Sequence, residues 1–80
     1  MAKKKLELFS GKFKVGDKVK VLRKAKDHEG DWVDTWNADM DTSVGKTLEV
    51  ININKGLHEY ELRDGLVNFG YPEFILELAE

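Results

Sequence analysis

The 80-residue chain has no cysteine, only one proline and no long hydrophobic segment. Without cysteine there is no disulfide framework and no thiolate metal site, which is compatible with a reducing cytoplasm. No apolar run approaches the roughly 18–20 residues that span a bilayer. The basic start MAKKK is followed only by LELF, which is too short for the core of a signal peptide. We therefore predict a soluble cytoplasmic protein of one domain.

Basic residues are absent from one long stretch, residues 27–45, which holds six carboxylates and both tryptophans. Residues 1–26 have a net charge of +8, residues 27–45 of −6 and residues 46–80 of −4, so the formal net charge of −2 hides a strong asymmetry. Such a layout is compatible with binding to a charged partner. It is equally compatible with two faces of one small domain that attract each other.

No segment has the periodicity of a long helix, and the glycines and the proline separate short β-like runs. The pattern predicts an all-β fold with five strands at residues 18–23, 47–53, 57–63, 66–69 and 74–78. The apolar residues of the second strand change phase after Val50, which predicts a bulge. In the third strand His58, Tyr60 and Leu62 share a face, opposite Glu59.

Turn signals separate these strands. Residues 54–56 (Asn-Lys-Gly) predict one hairpin turn, and Asp64-Gly65 predicts a two-residue type I′ turn. Pro72 lacks a backbone donor and ends the ladder, so we predict a 3₁₀ turn at residues 70–73. The long stretch 27–44 has neither strand nor helix periodicity, and we predict a long loop folded over the sheet.

The order of these parts resembles a small SH3-like barrel: strand, long loop, three strands with tight turns, 3₁₀ turn and short last strand. The likeness covers about residues 14–78 and is carried by Gly16-Asp17-Lys18-Val19-Lys20-Val21, Val44-Gly45-Lys46 and Tyr71-Pro72-Glu73-Phe74-Ile75-Leu76. Trp36, Met40, Val44 and Pro72 are also similar to small, mostly uncharacterised SH3-like proteins of bacteria and bacteriophages. The resemblance implies a barrel over residues 12–80, with residues 1–11 as a flexible basic segment or an extra edge strand.

Two kinds of SH3-like domain compete. The first strand resembles a KOW module, in which Gly-Asp-x-Val-x-Val precedes a glycine-containing turn; such modules bind RNA or ribosomal partners, but their loop is short and basic. Eukaryotic SH3 domains use a long acidic loop with aromatic side chains to hold basic, proline-rich peptides, which Trp32, Trp36 and Tyr71-Pro72 match better. The chain lacks the ALYDY signature and the paired tryptophans of those domains, so the ligand stays open.

The first functional hypothesis is a non-enzymatic module that binds a basic segment of a protein partner through the long loop. Tryptophan is enriched at interface hot spots, and cation–π attraction to an incoming Lys or Arg is worth about 0.5–2 kcal/mol. Since Met40 and Val44 follow Trp36 at helical spacing, we predict that Trp36 packs on the barrel and that Trp32 is exposed. The predicted partner-binding residues are Trp32, Trp36, Asp31, Asp34, Asp41, Tyr71, Pro72 and Phe74.

The lysine-rich first third supports an alternative, a KOW-like module that binds RNA or DNA. Phosphate binding requires clustered cations, and the candidates are Lys12, Lys14, Lys18, Lys20, Arg23 and Lys24. Against this stand a sequence pI of about 5.7 and the ordinary role of strand lysines in preventing aggregation. Pairing of the basic strand with the acidic loop of a neighbour is a third option, so we expect a monomer or a weak homo-oligomer.

Signals for an enzyme, a cofactor or a metal are scarce. The chain has only two histidines, no cysteine nucleophile and no glycine-rich phosphate loop. Asp27, Glu29 and Asp31 alternate as in a calcium-binding loop, but the glycine is misplaced and the closing glutamate is missing. We predict no catalytic residues, no cofactor and no metal.

Overall fold

The computed structural model describes residues 9–79. Five antiparallel strands form one sheet in the order β4-β3-β2-β1-β5. They are β1 (Lys18–Val21), β2 (Thr47–Asn54), β3 (Glu59–Asp64), β4 (Val67–Pro72) and β5 (Leu76–Leu78), with two 3₁₀ helices, η1 (Ala38–Ser43) and η2 (Glu73–Ile75). The all-β class, the long loop after the first strand and the 3₁₀ turn before the last are confirmed.

This layout is consistent with a small SH3-like fold, although it is not a closed barrel. Within residues 9–79 no ladder joins β4 to β5, so the sheet keeps two edges. Most of the predicted extra edge strand at residues 1–11 lies outside the described residues, and residues 9–11 form no strand.

The predicted bulge lies in β2. Leu48 and Val50 point into the core, and the register with β3 then shifts between Val50 and Asn52. The shift leaves Ile51 out of the pairing and moves the inward-facing positions from even to odd residue numbers. Ile53 therefore packs against the core, as Leu48 and Val50 do before the bulge. One extra residue therefore explains how even- and odd-numbered apolar residues of the same strand can both face the core.

The β2–β3 connection differs from the predicted turn. It spans residues 55–58, and the positive φ belongs to His58 (56°), not to Gly56. Asn54 Oδ1 accepts a hydrogen bond from the Leu57 backbone N–H at 3.1 Å, which keeps residue 57 in the turn. As a result β3 begins at Glu59 rather than at residue 57.

The β3–β4 hairpin is shifted as well. Asp64 pairs with Val67, so the two loop residues are Gly65 and Leu66. Only Gly65 has a positive φ (67°), which fits a type II′ turn and not the predicted type I′. Leu66 occupies the tip and is fully exposed.

Pro72 ends β4 three residues later than predicted. It pairs with Glu59 at the end of the ladder, where a missing N–H is tolerated, and η2 begins at the next residue. The last strand is correspondingly shorter than predicted and begins at Leu76.

The long loop supplies part of the hydrophobic core. It contributes Ala25, Trp32 and Met40 to one cluster with the inward residues of the sheet. Met40 belongs to η1. Asn37 caps the start of this helix, because its side chain accepts a hydrogen bond from the Asp39 N–H at 2.8 Å. The helical turn expected from the four-residue spacing therefore exists, as a 3₁₀ helix. The loop completes the core instead of lying over a finished one.

Candidate functional site

Trp32 is buried, and the prediction that it is exposed is wrong. Its side chain is only 2% exposed, and its Nε1–H donates to Glu59 Oε1 at 2.9 Å. A buried indole N–H requires an acceptor, and here a strand 27 residues away supplies it. Trp32 therefore attaches the loop to β3 and is not available to a partner.

Glu59, predicted on the strand face opposite Tyr60, is covered by the long loop, and only 6% of it is exposed. Gly70 on β4 makes room for its carboxyl group, since a Cβ there would lie 2.2 Å from it. A glycine inside a strand can mark such a close approach, and this was the signal in the sequence. Burial raises the pKa of Glu59 to about 7; the bond from Trp32 opposes this and the neighbouring Asp34 adds to it.

Asp31 and Asp34 also serve the fold. Asp31 Oδ2 accepts from the Phe9 backbone N–H at 2.8 Å and lies 3.3 Å from His58 Nδ1. The same nitrogen is 2.6 Å from the Asp31 carbonyl oxygen. These two carboxylates, predicted to attract a partner, are half-buried and bonded within the protein.

Tyr71 and Pro72 are fully buried. The Tyr71 hydroxyl donates to Ser43 Oγ at 2.7 Å, and Ser43 in turn donates to Asp64 Oδ2 at 2.7 Å. This chain of bonds fixes the end of η1 on β3 and β4. Neither Tyr71 nor Pro72 is exposed, so neither is open to a partner as predicted.

Trp36 is the more exposed of the two indoles. It packs on the sheet edge-on to Tyr71, with ring centroids 6.0 Å apart and planes at 83°. Its Nε1–H donates to Asp41 Oδ1 at 2.6 Å and its backbone N–H to Asp27 Oδ1 at 2.7 Å. The ring is thereby fixed while part of it remains at the surface.

An open cleft lies beside this ring, and we call it the Trp36 cleft. Its lining includes Lys24, Lys26, Asp27, Trp36, Ala38 and Asp41. Charges of both signs face each other across it, and Lys24 Nζ lies 3.8 Å from Asp41 Oδ1. Of the eight predicted partner-binding residues, the structure brings Trp36 and Asp41 together here.

Phe74 lies apart from that cleft. The ring is half-buried beneath the guanidinium group of Arg23, 5.7 Å from its centroid. Arg23 also forms two hydrogen bonds with Glu29, of 2.9 and 3.2 Å. Phe74 and Arg23 thus pack on each other at the base of the loop.

The six predicted nucleic-acid-binding cations do not form one patch. On β1, Lys18 pairs with Glu49 of β2, and Lys20 pairs with Glu77 of β5. Each strand lysine therefore has a carboxylate as its cross-strand neighbour, which lowers the local positive potential. Lys24 lines the Trp36 cleft, and Arg23 pairs with Glu29.

The remaining two, Lys12 and Lys14, lie on the segment before β1. Lys12 Nζ is 5.3 Å from the centre of the Phe13 ring. Lys14 lines a different cleft, together with aromatic side chains.

The chain matches no family model, no curated protein and no solved structure. Within residues 9–79 no three metal-ligating side chains come close enough to hold an ion. Neither 3₁₀ helix of this part is long and apolar enough to cross a membrane.

Proposed function

We propose that the protein is a non-enzymatic interaction module that binds a segment of a protein partner at the Trp36 cleft. The observation that carries the proposal is the indole of Trp36, which is held rigid yet partly open to solvent. Tryptophan is enriched among the residues that dominate interface energies. Because its ring is already fixed by Asp41 and Tyr71, little side-chain freedom is lost on binding.

The carboxylates around the ring favour a partner with a Lys or Arg. The bonds to Trp36 use Oδ1 of Asp27 and of Asp41, so each carboxylate has a second oxygen that can accept from a cation. A cation over the ring would gain about 0.5–2 kcal/mol more. Lys24 and Lys26 on the same cleft suit backbone carbonyls or an acidic residue of the same segment.

A non-enzymatic role is supported by the position of the carboxyl groups with shifted pKa. Glu59 and Glu73 are 6% and 5% exposed and are bonded to the loop and to the segment before β1. Neither lines the Trp36 cleft. Groups that would suit acid–base chemistry are thus engaged in holding the fold.

The test is an array of short peptides probed with the wild-type protein, with Trp36→Ala and with Leu66→Ala. Leu66 is an exposed apolar side chain at the β3–β4 tip, so its removal controls for a general loss of apolar surface. We expect bound peptides to contain Lys or Arg, and Trp36→Ala to weaken them at least about tenfold, or 1.4 kcal/mol. Equal binding by both variants would place the partner elsewhere.

A further inference from the structure

A second cleft has a different character from the Trp36 cleft. It lies between the segment before β1 and the β2–β3 turn, and we call it the aromatic–basic cleft. Its lining includes Phe9, Phe13, Lys14, Ile53, Lys55 and His58. Among residues 9–79 no carboxylate lines it, although Asp and Glu outnumber Lys and Arg in the chain by 15 to 13. Asp31 bonds to Phe9 and His58 but is not part of the lining.

The aromatic rings of this cleft form one connected group. Phe9 stacks on His58 with centroids 5.9 Å apart and planes at 16°, and it leans on Tyr60 at 5.0 Å. Phe13 meets the same Tyr60 edge-on at 5.2 Å. The His58 side chain is 40% exposed, and its Nδ1 is fixed on Asp31. A planar face is therefore held in position at the surface.

The wall that carries Phe9 and Lys14 is anchored by Glu73. One of its carboxylate oxygens accepts from the Ser10 backbone N–H at 2.8 Å and from the Ser10 hydroxyl at 2.9 Å. The other accepts from the Lys12 N–H at 3.0 Å and from the Tyr60 hydroxyl at 2.5 Å. The segment is thus bound to η2 and β3, and the cleft is formed before any ligand arrives.

We propose that the aromatic–basic cleft binds single-stranded nucleic acid. A base packs against the Phe9–His58 pair, and backbone phosphates pair with Lys14 and Lys55, which come from opposite walls. Flat rings between cations, without a carboxylate, suit an anion with planar apolar groups. A single strand is required because bases of a duplex are not free to stack on a side chain. The site shares no lining residue with the Trp36 cleft and does not depend on it.

Fluorescence polarisation with a labelled oligo(dT) tests the charged contacts. The variants are Lys14→Gln and Lys55→Gln, with Lys20→Gln on β1 as a control that removes the same charge outside the cleft. Two phosphate contacts give a log–log salt slope of about −1.4, or about a sevenfold weakening between 50 and 200 mM salt. We expect each cleft variant to reduce the slope by about 0.7, and Lys20→Gln to leave it unchanged.

The stacking contact is tested by Phe9→Leu, which keeps an apolar side chain but removes the ring. We expect Phe9→Leu to lose at least about fivefold in affinity for the oligonucleotide. Trp36→Ala should bind the oligonucleotide as the wild type does, so a failure of this proposal can be told apart from a failure of the proposed partner site. Thermal unfolding verifies that each variant is folded. If Phe9→Leu does not fold, Lys55→Gln, a change in the exposed turn, tests the proposal in its place.

Three results would overturn the proposal: no saturable binding at about 50 mM salt, an effect of Lys20→Gln equal to that of Lys55→Gln, or competition by a duplex or by poly-glutamate as strong as by the single strand.

Discussion

The two tryptophans lie four residues apart in the same acidic loop, yet they have different roles. Trp32 donates to Glu59, 27 residues away, whereas Trp36 donates to Asp41, only five away. The local spacing of apolar residues favoured Trp36 as the packing residue, but it contains no information on a distant acceptor. The buried hydrogen bond, and not the helical spacing, decides which indole belongs to the core.

Substitution of Trp32 should therefore affect folding more than binding. We expect Trp32→Ala to lower the free energy of unfolding by about 3–5 kcal/mol, because it leaves a large cavity and removes the donor to Glu59. Trp36→Ala should cost clearly less, since its ring is partly solvated already. Urea unfolding of both variants measures the difference, and a larger loss for Trp36→Ala would contradict these assignments.

At the scale of elements, side-chain hydrogen bonds attach the long loop to the sheet and to the segments next to it. Asp31 bonds to Phe9 and His58, Trp32 bonds to Glu59, and Ser43 joins Tyr71 to Asp64. Several of the side chains predicted to contact a partner are the ones that make these attachments. Fewer of the predicted partner-binding side chains are therefore open to solvent than the sequence suggested, and of these Trp36 and Asp41 line one cleft.

The close approach of the Glu59 carboxyl group to β4 depends on Gly70. A Cβ there would lie 2.2 Å from the Glu59 carboxyl group, so Gly70→Ala should push Glu59 away from Trp32. We expect a loss of about 1–3 kcal/mol in the free energy of unfolding, as for other overpacked sites. Gly56→Ala is the matched control, because a Cβ there meets only Asn54 Oδ1 at 3.6 Å. Thermal or urea unfolding of the pair gives the comparison, and equal losses would refute the steric argument.

Strands were predictable and their connections much less so. β1 and β2, with its bulge, follow from alternation of apolar and polar residues, which is a local property. The β2–β3 turn was missed because His58 takes the positive φ that Gly56 was expected to take. His58 Nδ1 bonds to Asp31 of the loop, a contact that no local pattern encodes. The candidate site was equally hard to predict, because contacts between residues far apart in the sequence decide which of its side chains are exposed.

Over the whole molecule, folding redistributes the uneven charge of the sequence. The lysines of β1 have Glu49 and Glu77 as cross-strand neighbours, Arg23 pairs with Glu29 at 2.9 Å, and Lys24 lies 3.8 Å from Asp41. Much of the basic first third is thereby set against the acidic remainder. The exceptions are local: a cleft of mixed charge beside Trp36 and a cleft beside Phe9 that no carboxylate of residues 9–79 lines.

Two buried glutamates give the stability of the molecule opposite dependences on pH. Burial would raise the pKa of Glu73, but hydrogen bonds from Tyr60, Ser10 and Lys12 prevail and lower it. Glu73 thus contributes stability above its unfolded pKa, and that contribution is lost as the pH falls through its folded value. Glu59 behaves in the reverse way, because its pKa rises from 4.5 to about 7.

Between pH 4.5 and 7 the folded state therefore binds more protons at Glu59 than the unfolded state does, so the contribution of Glu59 to stability falls as the pH rises through this window. The shift corresponds to a loss of about 2–3 kcal/mol over the window. In Glu59→Gln the side-chain oxygen still accepts the hydrogen bond from Trp32, but the side chain no longer titrates. We therefore expect the pH-dependent loss of stability to disappear in this variant and the variant to be more stable than the wild type at pH 8. Glu77→Gln, which removes an exposed carboxylate on β5, should keep the wild-type dependence. Urea unfolding of the three proteins from pH 5 to 8 decides the matter, and a wild-type stability that does not fall over this range would show that Glu59 is already ionised in the folded protein.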